Sequence, residues 1–220
     1  MKWPKTISIE HARELQKDLQ KRVRIIPLKR EPRYVGGVDA AFSENLVYAA
    51  ACVYRYPELR LVEKACAVEK LKFPYVPGFL SFREGPAIIA AIKKLSTEPD
   101  VILVDGQGIA HPRGLGIASH LGVLLGIPTI GCAKTRLVGE FEGPGVRKGS
   151  WSVLTYEGRT VGAVLRTKDS VRPLFVSPGH KIDIDGSIRI TLNCSSKYRI
   201  PEPIRCVDML SRKLKSGAPS

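Results

Sequence analysis

Apolar residues recur at helical spacing between Ser8 and Arg24, where Ile9, Ala12, Leu15, Leu19 and Val23 stand among Lys, Arg and Gln. Ser8 offers an N-cap and Pro27 closes the run, so the chain is expected to begin with an amphipathic helix. The pattern then changes to short apolar runs at about 33–42, 46–56 and 59–69, separated by Ser43-Glu44-Asn45 and by Pro57-Glu58. Connections this short predict antiparallel hairpins. Helical spacing returns from Leu80 to Leu95 through Phe82, Ile88, Ile89 and Ile92, with Pro86 marking a kink or a late start. Val101–Val104 is an unbroken apolar run, the signature of a strand buried on both faces in a parallel sheet. A helix over Ile117–Leu125 and a fifth strand over 127–131 follow. Past a Gly/Pro turn region at 142–149, Trp151–Tyr156 and Thr160–Arg166 predict a hairpin around Glu157-Gly158. Leu174-Phe175-Val176 leads into Ser177-Pro178-Gly179-His180, and helices at about 184–194 and 203–214 end the pattern. Residues 216–220 are expected to fray.

This order reads as one domain over 1–220: three antiparallel strands, a helix, a parallel strand, a helix and a strand. A right-handed crossover would set the fourth strand beside the first. The arrangement resembles the ribonuclease H-like α/β fold, a mixed central sheet flanked by helices. It would bring together two acids, Asp39 on the first strand and Asp105 at the end of the fourth. Each alone could be an ordinary strand-end Asp facing solvent or capping a turn. A buried, unpaired carboxylate costs several kcal/mol or keeps its proton, and a divalent cation removes that difficulty. Two such acids on neighbouring strands therefore favour a metal site. Gly106 and Gly108 follow Asp105 and permit a close backbone approach, and His111 lies within the same short loop.

Charge sharpens the picture. The chain carries 35 Lys and Arg against 21 Asp and Glu, a net charge of +14, which points to a polyanionic partner. Within Phe73-Pro74-Tyr75-Val76-Pro77-Gly78 two prolines stiffen the backbone. Tyr75 is then either tucked into the core or held out as a wedge between bases. The five cysteines show no Cys-x-x-Cys spacing and read as reduced thiols. Gly114-Leu115-Gly116 lacks the third glycine of a dinucleotide loop, and Lys134 does not sit in a P-loop. No apolar run is long enough for a membrane span and no signal peptide is read, so a cytoplasmic protein without membrane partners is expected.

In this order the motifs Gly37-Val38-Asp39, Phe73 to Gly78, Phe82-Arg83-Glu84-Gly85-Pro86, Asp105-Gly106-Gln107-Gly108, Ala110-His111-Pro112-Arg113, Gly116 to His120, Ala133-Lys134 and Ser177 to His180 span about 8–215. Together they resemble endonuclease V, the deoxyinosine 3′-endonuclease family. The resemblance implies a monomeric DNA-repair enzyme dependent on Mg²⁺, with Mn²⁺ as a substitute. It would recognise inosine and cut the second phosphodiester bond on its 3′ side, leaving 3′-hydroxyl and 5′-phosphate ends. It further implies that Asp39, Glu84 and Asp105 hold metal and that Lys134 contacts the phosphate near it. Tyr75 would belong to the wedge, with Leu80, Gly106, Gly108, His111 and Ile117 around the displaced base. Val76 stands where isoleucine is commoner, and Asp208 stands where some members place a histidine, making it a candidate fourth metal ligand. An inosine-directed ribonuclease and a basic nucleic-acid-binding protein that does not cut are the alternative readings.

Overall fold

The computed structural model describes residues 8–217. Along them run α1 (Ile9–Gln20), β1 (Tyr34–Phe42), β2 (Leu46–Arg55), β3 (Arg60–Lys70), α2 (Leu80–Ile92) and β4 (Val101–Val104). There follow α3 (Ile117–Leu125), β5 (Thr129–Ala133), β6 (Trp151–Tyr156), β7 (Arg159–Leu165), β8 (Leu174–His180), α4 (Ile184–Asn193) and α5 (Glu202–Lys215). All eight strands form one mixed sheet in the order β3-β2-β1-β4-β5-β8-β7-β6. The β1–β4 and β4–β5 pairs are parallel and the other pairs antiparallel. The ribonuclease H-like expectation is met, and the hairpin of β6 and β7 extends the sheet at the β8 edge.

β4 is the axis of the packing because its side chains alternate between two cores. Ile102 and Val104 pack with Ala87, Ile88, Ile117 and Leu121 of α2 and α3 on one face. Val101 and Leu103 pack with Ile188, Ile190 and Ile204 of α4 and α5 on the other. α5 comes very close to the sheet: a Cβ at Gly37 would lie 2.4 Å from the Pro203 carbonyl oxygen. Only glycine fits there, and that contact fixes where α5 begins over β1. No helix of the described residues is long and apolar enough to cross a membrane.

Some boundaries differ from expectation for identifiable reasons. α1 ends at Gln20, before Arg24, because the Arg24 N–H bonds His180 Nδ1 and the Arg24 carbonyl accepts from the Lys181 N–H. Those bonds tie the segment to the end of β8. Pro86 lies inside α2 without ending it, since the preceding Gly85 has no Cβ to clash with the proline ring. Ser177-Pro178-Gly179-His180 continues β8, with the β5–β8 register shifting between Thr129 and Ile130 beside Pro178. Glu157 and Gly158 both have positive φ, as the tight hairpin turn requires. The five cysteines are all free thiols. Of the tail expected to fray, Ser216 and Gly217 still donate backbone hydrogen bonds to Arg212 and Leu214, and 218–220 lie outside the described residues.

Candidate active site and nucleic-acid interface

Two carboxylates are set side by side by strand register. Val38 pairs with Val104 across the parallel β1–β4 ladder, so Asp39, still within β1, and Asp105, at the carboxyl end of β4, follow side by side. Open α/β sheets place their ligands there. α5 brings a third acid over β1, and Asp39, Asp105 and Asp208 each offer an oxygen within 4.8 Å of the others. Lys134, one residue past β5, reaches Asp105 Oδ2 at 2.5 Å and Asp208 Oδ1 at 3.7 Å. Arg212 donates to Asp208 Oδ1 at 2.9 Å, and Ser211 Oγ lies 3.5 Å from Asp39 Oδ2.

Crowded acids show in their proton affinities. Burial, with the Asp105 and Asp208 charges adding to it, pushes the Asp39 carboxyl up to about 7. Glu84 on α2 is buried, and burial together with Asp39 and Asp105 raises its carboxyl well above the usual range. It stands outside the 4.8 Å set yet shares its field. Burial alone would lower the Lys134 ammonium, but the hydrogen bond and charge of Asp105, with Asp208 and Asp39, raise it instead. The donor set is hard oxygen, which suits a divalent cation of the Mg²⁺ or Mn²⁺ kind, and such a charge would relieve the mutual repulsion of the acids. The residues fit a metal centre built on Asp39, Asp105 and Asp208, with Glu84 beside it.

Beside the acids lies a cavity of about 210 Å³. Phe73 and Phe79 in the loop after β3 pack with Phe82 of α2 as tilted rings with centroids 5.5–6.1 Å apart, and Val76 packs against them. Tyr75 does the opposite: it is 75% exposed and forms one wall of the cavity. Leu80, His111 and Ile117 also line it. The carbonyl of Gly78 anchors the loop by accepting from Gln16 Nε2 at 2.9 Å, Arg113 at 2.6 Å and His111 Nε2 at 3.2 Å. Because the Arg113 N–H donates to His111 Nδ1, the ring proton sits on Nε2. Burial, reinforced by Arg113, lowers the His111 ring to about 4, so it stays neutral.

Neither of the two glycines expected around the base lines the cavity itself. Gly106 packs against Ile117, where an added Cβ would come 2.6 Å from Cγ2. Gly108 is pressed to β8, where a Cβ would lie 2.1 Å from the Pro178 carbonyl oxygen. Its N–H already bonds Ser177 Oγ and its carbonyl accepts from the Gly116 N–H. Gly108 therefore holds the cavity's framework together and its own polar groups are taken. Residues not singled out from the sequence also line the cavity, among them Gln107, Arg83 and Leu137. The position of Gln107 between the two glycines was the available signal.

Residues 17–209 match the endonuclease V family. Endonuclease V of Dictyoglomus turgidum is 48% identical over 205 residues, covering 93% of this chain and 90% of that one. Endonuclease V of Trichormus variabilis is 49% identical over 212 residues, covering 95% of each. This chain belongs to the endonuclease V family. Its fold agrees: the crystal structure of endonuclease V from Streptomyces avermitilis superposes with a TM-score of 0.93 at 43% identity, covering 98% of this chain and 95% of that one. The Ciona intestinalis endonuclease V, crystallised with a 24mer DNA containing an inosine followed by a ribo-adenosine, gives 0.82 at 29% identity, covering 95% of this chain and 98% of that one. As an endonuclease V the chain is a nuclease, and its acid cluster and neighbouring cavity are the parts a nuclease needs.

Proposed function

We propose that this endonuclease V is directed to inosine in nucleic acid. It cuts the second phosphodiester bond on the 3′ side, leaves 3′-hydroxyl and 5′-phosphate ends, and serves in the repair of DNA carrying deaminated adenine. The observation that carries the reading is the convergence of Asp39, Asp105 and Asp208 within 4.8 Å beside a cavity walled by an exposed tyrosine. The inosine-containing DNA bound by the Ciona relative supports the choice of base.

Asp39, Asp105 and Asp208 would hold a divalent cation, Mg²⁺ or Mn²⁺, with Glu84 completing the acidic surroundings. Such a cation supplies an acidified water and charge stabilisation for the leaving oxygen. Lys134 brings a fixed positive charge to the phosphate from the rim of the acid cluster. Tyr75, out on its stiff loop, fills the gap left by an extruded base, whose removal from the stack costs a few kcal/mol. The mostly apolar cavity, lined by Leu80, His111 and Ile117 behind Tyr75, excludes water from the extruded base. A basic binding protein that did not cut would gain nothing from three carboxylates set against phosphate.

Incubating end-labelled strands with Mg²⁺, each containing one inosine or the matched adenosine, tests this. One cut per inosine strand and none in the control is expected. Binding without cleavage at any divalent concentration would leave only the non-catalytic reading. DNA and RNA versions of the same strand, compared by rate, decide the preferred substrate.

A further inference from the structure

The β5–β8 ladder stops just where Lys134 begins. Its last pair is Ala133 with Phe175, so in continued register Thr135 would stand opposite Pro173. Proline has no N–H to offer there. Two side chains take over from the ladder. Gln107 Nε2 donates to the Thr135 carbonyl at 3.1 Å. Arg199 Nη2 donates to the Lys134 carbonyl at 3.0 Å and to the Pro173 carbonyl at 2.9 Å, bridging the ends of the two strands. Arg199 is itself fixed, because its carbonyl accepts from Thr167 Oγ1 at 2.6 Å and Thr167 is buried. It also stands two residues before Pro201, the N-cap of α5, the helix that carries Asp208. One guanidinium thus ties the Lys134 backbone to the entry of the helix whose acid the Lys134 ammonium faces at 3.7 Å.

We propose that Arg199 is a positioning residue for the cutting reaction, holding the Lys134 backbone so that its ammonium stays between Asp105 and Asp208. The proposal rests on the reading of Lys134 as the phosphate contact. The Lys134 side chain is a flexible four-carbon stem, 39% exposed and rooted one residue past the end of β5. A root free to move would carry the ammonium out of the gap between the acids, and a misplacement of about 1 Å can slow a reaction by roughly 10²-fold. Arginine suits the task because its planar fork fixes the direction of each N–H, which an ammonium does not. Its Nη2 bonds carbonyls and not an acid, so Arg199 acts through Lys134. The arrangement has a cost. Burial, with Arg172 adding to it, lowers the proton affinity of the guanidinium, and its buried Nε has no hydrogen-bond partner among the described residues. Unpaired buried donors are rare at ordinary strand ends and are expected at functional sites.

The test is a double-mutant cycle read by single-turnover cleavage of an inosine strand with Mg²⁺. Lys134→Met should slow the wild-type rate by roughly 10²-fold. Arg199→Met keeps the apolar stem but removes the donors, and should slow it by roughly 10-fold or more. The double variant should be slower than Lys134→Met by no more than about 2-fold, because Arg199 has nothing left to position. Affinity for the strand without divalent cation, and its dependence on salt, should be unchanged in Arg199→Met, since the guanidinium does not hold phosphate. Melting temperatures report whether each variant folds. If Arg199→Met does not, Thr167→Val, which removes the bond to the Arg199 carbonyl, takes its place in the same cycle. A folded Arg199→Met with the wild-type rate, an equal loss in both Lys134 backgrounds, or a weaker, less salt-dependent affinity would overturn the role of Arg199. A wild-type rate in Lys134→Met would instead overturn the reading of Lys134 itself, so the two failures are distinct.

Discussion

The acid cluster and the cavity share the carboxyl-terminal edge of one sheet, yet they are built by opposite means. The cluster is charged and assembled by strand register: pairing Val38 with Val104 leaves Asp39 and Asp105 adjacent, and α5 adds Asp208. The cavity has no acid in its lining and one cation, Arg83, and it is assembled largely by loops, held by the Gly78 carbonyl, by His111 in its uncharged form and by the Gln107 amide. Charge suits the handling of phosphate and metal. A mostly apolar wall with few polar groups suits the holding of a flat base. The division implies that cutting and recognition can be separated by mutation.

The largest effect is expected on cleavage. Asp39→Ala or Asp105→Ala should lower the single-turnover rate on an inosine strand by roughly 10³-fold or more. A rate within tenfold of wild type would remove either acid from the machinery.

The two regions should also answer pH in opposite directions. Burial holds His111 at about 4 and His120 at about 3, below the ordinary 6.5 for histidine. The folded state thus prefers both rings neutral, and between those values the unfolded chain binds more protons. Their contribution is complete above about pH 6.5 and is lost as the pH falls, by about 3 kcal/mol for His111 at pH 4. Urea unfolding between pH 7 and 4 would show the decline, and a flat profile would contradict the burial of these rings. Asp39 behaves the other way. Its folded value near 7 means that stability is lost as the pH rises from about 4 through 7 in the absence of a divalent cation.

A divalent cation replaces that proton. Mg²⁺ or Mn²⁺ should raise the melting temperature, more at pH 8 than at pH 5, with a stabilisation of about 2.7 kcal/mol at 100 times its dissociation constant. The shift should vanish in Asp105→Ala. A shift of equal size in that variant would place the cation elsewhere.

Smaller still is the effect of the wedge. Tyr75→Ala should weaken binding to duplex inosine by about 1–3 kcal/mol, and by less on a single strand whose base is already unstacked. Its melting temperature should hardly move, because the side chain is 75% exposed. Phe73, two residues away, is 3% exposed and serves as the control, since its truncation belongs to the class that costs about 3–5 kcal/mol of stability. A large melting shift for Tyr75→Ala with unchanged duplex affinity would end the wedge reading.

The acid half was the more legible in the sequence. A carboxylate interrupting an apolar strand, as Asp39 does, or closing one, as Asp105 does, stands out against its surroundings, and the order of elements set the two strands side by side. Tyr75 stood out because prolines flank it. The cavity half was harder to read because its hydrogen bonds depend on distant chain segments: Gln16, Gly78 and Arg113 meet only in the fold. Gly108 illustrates the limit. Its spacing suggested contact with a ligand, but its tight fit against Pro178 and its occupied N–H are matters of tertiary packing. Likewise the end of α1 is set by His180, more than 150 residues further along the chain.

The most direct test of the division is to measure one quantity on the Asp39→Ala, Asp105→Ala double variant: its affinity for an inosine strand relative to the matched adenosine strand, without divalent cation. The account predicts the wild-type preference, undiminished, in a protein that no longer cuts. Loss of the preference in a variant that is still folded would show that the acids take part in reading the base, and the separation of cutting from recognition would be wrong.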